Sequence, residues 1–485
     1  MCDDERFRAA RELLHGRFGF RDFRPSQSAV VRAVLRGRDV LAVLPTGAGK
    51  SLCYQLPALL EPGLTVVVSP LISLMEDQVA GALRRGLPAA CLTSSMKPRR
   101  RARVEAAVRR GGIRLLYVAP ERLETRRLLE LLERRMVSRV AVDEAHCIAE
   151  WGHDFRPAYR RIAKFRRRVG SPPALALTAT ATPATRAEIV HSLELRRPVR
   201  LVSRVDRPNL GWGALRAPDP GAAARRVIAE LRTTPGAAIV YVATRRRAVR
   251  LAAAFRRCGC QAAAYHAGLA AATRSEVQEA FLGGALRIVC ATNAFGLGID
   301  RQDVRTVCHL GMPGSLEAYV QEAGRAGRDG RPARCLLVAC PGDVPLQRAF
   351  ARRRWPSGRL LARVWDALPE GRATRMEELA ETRFRRLDPE RIASAARLIV
   401  EFGGARWAAG GQAVVRGPER DRRRLEFEAV RRGRRRAERR LREMRAYLLT
   451  RRCRRARIAA YFEEPVPPCA GCDRCGEQKR TPPGS

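Results

Sequence analysis

A glycine-rich turn, a pair of adjacent acids, two arginines three residues apart and four clustered cysteines are the residues whose types and spacing could do chemistry. The turn is LPTGAGKS (44–51), set between an apolar run and the helix-like stretch SLCYQLPALL. Thr46, Gly47 and Gly49 belong to a loop whose backbone N–H groups can turn inward around phosphates, with a helix N-terminus adding a favourable dipole. Lys50 can reach terminal phosphates and Ser51 can hold Mg2+. Leu44 stands where the full GxxxxGK[ST] pattern has glycine, so only half of that pattern is met. The acids close the segment RVAVDEAH (139–146). Asp143 suits a Mg2+ shell, and Glu144 suits the polarising of an attacking water. Either segment alone could be an ordinary strand-end turn. In this order they read as a site for ATP.

The cysteines are Cys453, in TRRCRRARIAAYF, which reads as a helix, and Cys469, Cys472 and Cys475, in CAGCDRC. The spacing C-x15-C-x2-C-x2-C suits a tetrahedral Zn2+ held by four thiolates. A redox pair would need a thioredoxin-like setting, which is absent here. The remaining cysteines are scattered and read as small core residues, with Cys258 and Cys260 left as core or surface.

These groups need rigid supports. Two stretches alternate short apolar runs with helix-like segments, the mark of parallel α/β sheets. Residues 1–205 contain strand candidates at 39–45, 65–70, 114–120, 139–144 and 174–180; residues 206–342 contain them at 237–243, 286–292, 305–311 and 333–340. The stretch 207–224 has the Pro and Gly content of a connection. Residues 343–418 read as helices followed by a short hairpin, the order of a candidate winged helix. Residues 419–478 form arginine-rich helices with the cysteine module, and 479–485 read as a disordered tail.

The chain has 485 residues and a formal net charge of +44. Fixed cations displace counterions from a phosphate backbone, so a polyanionic partner follows. G+C-rich coding would also favour arginine, and the only lysines are Lys50, Lys97, Lys164 and Lys479, so charge alone does not name the partner. No apolar run approaches the roughly 18–20 residues that span a bilayer. The N-terminus lacks a signal-peptide apolar core, and a cytoplasmic protein without a membrane partner is expected.

In motif order the chain resembles the RecQ helicases of superfamily 2, over about residues 7–342 and again at 453–475. The resemblance implies two RecA-like parallel-sheet motor lobes, followed by a mainly helical region and a four-cysteine zinc module. FGFRDFRPSQ (18–27) is similar to the family's adenine-reading motif, with Phe20 to stack on the base, Gln27 to pair with its edge and Arg24 in support. AHCIAEWGHDFRPAYRRI (145–162) resembles its aromatic-rich loop, in which Trp151, Phe155 and Arg156 offer faces for bases. His146 and His153 would signal to the hydrolytic acids. Thr178 and Thr180 of LTATATP (177–183) would link the ATP and DNA sites. QEAGRAGRDG (321–330) resembles the arginine-finger motif, with Arg325 and Arg328 projecting from a helix and Gln321 near the nucleotide. An exposed amphipathic helix bearing two arginines is the plainer alternative. Asp300, in NAFGLGID, would lie at the lobe interface.

The resemblance thus implies an ATP-dependent DNA helicase of a short bacterial type, moving 3′ to 5′ on single-stranded DNA and opening duplex or branched DNA in repair and recombination. A translocase, an RNA helicase and a non-enzymatic strand-annealing protein are the rivals. Ten residues follow Cys475. They leave no room for the family's C-terminal winged helix or its HRDC domain, so the duplex-parting element is expected elsewhere.

Overall fold

The computed structural model describes residues 3–70, 72–93, 96–133, 135–149, 157–296, 301–408, 413–466, 468–469 and 471–476. In the first lobe seven parallel strands are β1 (Val40–Val43), β2 (Leu64–Val68), β3 (Ala89–Leu92), β4 (Leu115–Val118), β5 (Val137–Val142), β6 (Ala174–Thr178) and β7 (Val199–Val202). Their order is β3-β4-β2-β5-β6-β1-β7. Helices cover both faces, so β1, β2 and β6 are buried at every residue, as their unbroken apolar runs require. Because β5, β6 and β1 are neighbours, with Val43 beside Thr178 and Val142 beside Ala176, the turns that follow them share one end of the sheet. That end carries the glycine-rich turn, both acids and Thr178.

The opposite end is closed by a buried ion pair. Asp39 accepts two bonds from Arg166 Nη2, at 2.7 and 2.9 Å, and two more from the Ala174 and Arg196 N–H groups, at 2.7 and 2.6 Å. Four hydrogen bonds from three donor groups replace the water that this carboxylate loses, so the pair ties the starts of β1 and β6 to the approach to β7. Asp39→Ala strands a buried guanidinium and is expected to cost about 3–5 kcal/mol. A fall in the urea midpoint would register it, whereas Asp22→Ala on the surface should leave the midpoint unmoved.

The second lobe holds six parallel strands, β8 (Leu210–Arg216), β9 (Ala237–Val242), β10 (Ala262–Tyr265), β11 (Ile288–Ala291), β12 (Val304–Leu310) and β13 (Ala333–Ala339), in the order β10-β11-β9-β12-β13-β8. The stretch read as a connection therefore contains edge strand β8, with the helix Pro220–Thr233 starting behind it. Gly211 and Gly213 hid it. Glycine has low strand propensity, but here Gly213 meets Leu336, where a β-carbon would stand 3.4 Å from Cδ1.

Beyond β13 the helix Asp343–Arg354 leads to a unit with its own small core around Trp365, Leu361, Ile392 and Ile399. Its order is helix Gly358–Ala367, β14 (Ala373–Arg375), helices Met376–Arg383 and Pro389–Glu401, then β15 (Ala405–Trp407) and β16 (Ala413–Arg416) in an antiparallel β14-β16-β15 sheet. Arg406 and Trp407 face outward on β15. The chain leaves this unit along the helix Phe427–Leu449. There Trp355, at the unit's entrance, lies flat on Gly433; a β-carbon on that glycine would stand 2.5 Å from the indole.

The helices Phe427–Leu449 and Arg454–Phe462 then return to the second lobe. Leu441, Met444, Tyr447, Ile458 and Phe462 share one core with Trp212, Tyr319 and Leu337. No helix among the described residues is long and apolar enough to cross a membrane.

Candidate active site and metal centre

The phosphate-type loop closes on itself through two glycines in the left-handed region, Gly47 at φ 82° and Gly49 at φ 71°. Gln27 lies against Gly49, and its amide donates to the carbonyls of Ala48 (2.8 Å) and Gly49 (3.3 Å). Its Oε1 accepts from the Arg24 N–H at 2.9 Å, and Arg24 Nη1 reaches Gly47 O at 2.5 Å. The Lys50 ammonium rests 3.3 Å from Leu44 O. Burial pushes its pKa down; the Glu144 and Asp143 carboxylates counter that, and Arg328 adds to it.

Glu144 is held at φ 48°, ψ 47°, a left-handed conformation rare for a residue with a side chain. The turn re-aims its carboxylate at the end of β5. Burial raises Asp143 to about 7, with the Glu144 charge adding to the shift. Burial would raise Glu144 too, but the His146 imidazole 3.2 Å away, together with Lys50 and Arg325, outweighs it and holds Glu144 at about 2. His146 Nδ1 also meets Thr178 Oγ1 at 2.9 Å, and Thr178 donates to Thr180 O at 3.2 Å. The acids are thereby joined to the end of β6.

The second lobe supplies the facing wall. The helix Leu316–Ala323, which carries Gln321, stops at Gly324, and Gly327 at φ 53° bends the chain again. Arg325 and Arg328 therefore stand on a turn after the helix and not on the helix, because two glycines in four residues break it. Across the cleft a β-carbon on Gly47 would lie 3.2 Å from Arg328 Cγ, and one on Gly324 would lie 3.5 Å from Thr46 Oγ1. Arg325 is 6% exposed and acts on the charge of Glu144. Elsewhere along the cleft Gln278 approaches Asp77 at 3.5 Å.

The Sγ atoms of Cys453, Cys469, Cys472 and Cys475 all lie within 4.8 Å of one another, and none of these cysteines is in a disulfide. Zn–S bonds of about 2.3 Å in a tetrahedron place sulfurs about 3.8 Å apart, so the four fit that ion after a small contraction. Cys453 is the residue before the helix Arg454–Phe462, at φ −51°, ψ 127°, and not within it. Extended geometry there lets its sulfur turn toward the knuckle.

Family comparisons agree with this arrangement. The DEAD/DEAH box helicase model matches residues 24–189, the helicase conserved C-terminal domain 222–330, and the RecQ zinc-binding model 419–476. Over 338 residues the chain is 43% identical to the probable ATP-dependent DNA helicase RecS of Bacillus subtilis, covering 69% of this chain and 68% of that protein. The chain belongs to the RecQ family of DNA helicases.

Other RecQ relatives include the ATP-dependent DNA helicase RecQ of Pasteurella multocida, 43% identical over 69% of this chain and 52% of that one. The RecQ of Bacillus subtilis is 40% identical over 70% and 57%. The chain thus spans little more than half the length of these two. Its fold is similar to that of Mycobacterium smegmatis helicase Lhr bound to ssDNA and AMP-PNP, with a TM-score of 0.56 at 21% identity over 88% of this chain and 61% of that one. Helicase MrfA bound to DNA gives 0.59 at 20% over 88% and 64%.

The cleft of this RecQ chain brings together Thr46, Gly47, Gly49, Lys50, Asp143, Glu144, Arg325 and Arg328, with Arg24 and Gln27 bracing the loop. Phe20 is 49% exposed. Trp151, His153, Phe155, Arg156 and Asp300 lie outside the described residues. The far end of the aromatic-rich segment is anchored where Tyr159 donates to Asp143 O at 3.0 Å.

Sequence reasoning missed a set of groups behind the second wall. Arg207 donates to the carbonyls of Gly324 and Ala326, both at 2.9 Å, and to that of Gly327. Arg454 and Arg455, next to Cys453, are wholly buried against lobe-two backbone. Neither DRPNL (206–210) nor RRARIAA (454–460) carries a sequence signal that sets these arginines apart.

Proposed function

We propose that the chain is an ATP-driven motor that moves along single-stranded DNA and opens duplex or branched DNA. One observation carries this reading: Arg328 of the second lobe lies over Gly47 of the first-lobe loop, so a nucleotide there is gripped from both sides. The loop N–H groups and Lys50 would hold the phosphates. Ser51 and Asp143 would hold Mg2+. Asp143 spends Oδ1 on the Glu144 N–H at 3.0 Å, so its carboxylate is already aimed along the cleft. When bound, Mg2+ neutralises charge on the phosphate oxygens. Glu144, ionised and fixed by its turn, orients water and takes its proton at a carboxylate oxygen. Arg325 and Arg328 stabilise charge on the transferring phosphoryl group.

Closing and reopening of the cleft would step one lobe past the other. His146 and Thr178 would relay that state toward the strand-binding loop with Trp151, His153, Phe155 and Arg156. The four cysteines would hold a structural Zn2+. The unit at 358–416, in winged-helix order with Arg406 and Trp407 outward, would meet the duplex.

A forked-duplex unwinding assay with ATPase measured alongside tests this. Lys50→Ala should abolish DNA-stimulated hydrolysis and unwinding together; normal turnover would overturn the site assignment. Trp407→Ala should lower unwinding while sparing hydrolysis on single strands; unwinding at the wild-type rate would remove the 358–416 unit from duplex contact. A polarity test on tailed duplexes checks 3′-to-5′ travel.

A further inference from the structure

The turn Gly324–Arg328 has two glycines and must nevertheless hold two guanidiniums in fixed places. A helix ends just before it, and the last carbonyls of a helix have no partners of their own. Three of the turn's carbonyls, those of Gly324, Ala326 and Gly327, converge on one side chain, Arg207. Two of these carbonyls flank Arg325, and the third directly precedes Arg328. A guanidinium is suited to this: its planar fork offers five donors, and its charge sits favourably at a helix C-terminus. Asn209 adds a bond to Gly327 O at 2.8 Å and another to Arg331 O at 2.8 Å.

In the chain Arg207 follows the last strand of the first sheet and comes just before β8, on a segment that is itself held. Arg455 is 1% exposed and donates to Asp206 and to the carbonyls of Arg207 (3.3 Å), Pro208 (3.0 Å) and Leu210 (2.5 Å). One residue upstream, Val205 N–H is taken by Glu464 at 3.0 Å. Arg454, between Cys453 and Arg455, binds Asp473, Tyr447 O (2.7 Å) and Ala214 O (3.3 Å). A continuous set of contacts thus runs from beside the cysteine cluster to the inter-lobe segment, to the arginine turn and to Gly47.

We infer that Arg207 is a positioning residue for Arg325 and Arg328, and that Arg455 fixes the segment on which Arg207 stands. The cysteine-rich module then sets the aim of the arginines in the ATP cleft as well as the edge of the second sheet. This rests on the finger role proposed above. Displacing a catalytic group by about 1 Å costs about 10²-fold in rate. Arg207→Ala is therefore expected to lower kcat of DNA-stimulated hydrolysis by about 10²-fold with KM for ATP changed less than about threefold. Arg207→Lys, which keeps the charge but loses the fork, should restore little.

Two further readouts separate positioning from general damage. Affinity for ADP with aluminium fluoride, which imitates the transferring phosphoryl group, should fall while affinity for ADP alone holds. In an Arg325→Ala, Arg328→Ala background, Arg207→Ala should cost almost nothing more, because its effect is routed through them. Asp206→Asn, which weakens the Arg455 contact and leaves the Arg207 fork intact, should lower kcat in the same direction by less. If Arg325→Ala and Arg328→Ala leave hydrolysis untouched, the finger reading fails and this inference with it. If they slow it while Arg207→Ala does not, or if Arg207→Ala costs as much in their absence, this inference alone fails. An unchanged kcat in Asp206→Asn removes Arg455 from it.

Discussion

Arg328→Ala should slow DNA-stimulated ATP hydrolysis by about 10³-fold or more while ADP still binds. A factor of that size corresponds to about 4 kcal/mol of barrier, within reach of one guanidinium placed against the charge that develops in the transition state. The basis is local. Arg328 packs on Gly47, where a β-carbon would stand a tight 3.2 Å from its Cγ and the left-handed backbone separately disfavours a side chain. Its charge reaches Lys50, where it works against protonation. Arg328→Lys should recover only a small part, since an ammonium offers a point charge in place of a planar fork. Steady-state turnover at saturating single-stranded DNA, with ADP affinity measured in parallel, checks the result. A variant that hydrolyses ATP within about tenfold of the parent would show that the second wall does not act on the phosphoryl group.

Cys472→Ser should release bound zinc and lower Tm by about 10 °C. The cluster is no appendage. Cys472 is 8% exposed within the second lobe's own core and bridges Trp212 of β8. Asp473 accepts from the Ala214 N–H at 3.1 Å, and its own N–H donates to Trp212 O at 3.0 Å, so the knuckle adds a short piece of sheet to that edge. Without the metal, that edge and the pair that Asp473 makes with the buried Arg454 lose their anchor. Metal content and a thermal melt measure both parts. Cys258→Ser, at an exposed position, is the control and should change neither. A parent protein carrying no zinc after mild purification would refute the expectation.

How far the sequence could be read depended on where each group's partners lay. Strands rich in Val, Ile and Leu, such as β2 and β9, stood out because both faces are buried. Alanine-rich β3 and β10 and the alternating edge strand β7 did not, since alanine has little strand preference and an edge strand has one solvated face. The loop residues Lys50, Asp143 and Glu144 were legible because backbone geometry demands glycines and strand ends near them. The arginine turn was legible in its residues and misread in its shape, since its glycines were counted as motif and not as helix breakers. Arg207 was illegible. Its acceptors are carbonyls, which have no letter in a sequence, and the nearest lies 117 positions away. Arg455 was hidden in the same way, inside a run of arginines that reads as a solvated face.

The flat seat of Trp355 on Gly433 has a consequence for the region between them. The chain's way in and way out of the 358–416 unit meet at one spot, and that unit carries a core of its own. It is therefore a cassette on a single stem. Trimming its hairpin, or excising it and rejoining the stem with a short bridge, closes only a small gap. The hairpin tip is the part of the cassette whose length and sequence can vary with least disturbance to the cleft.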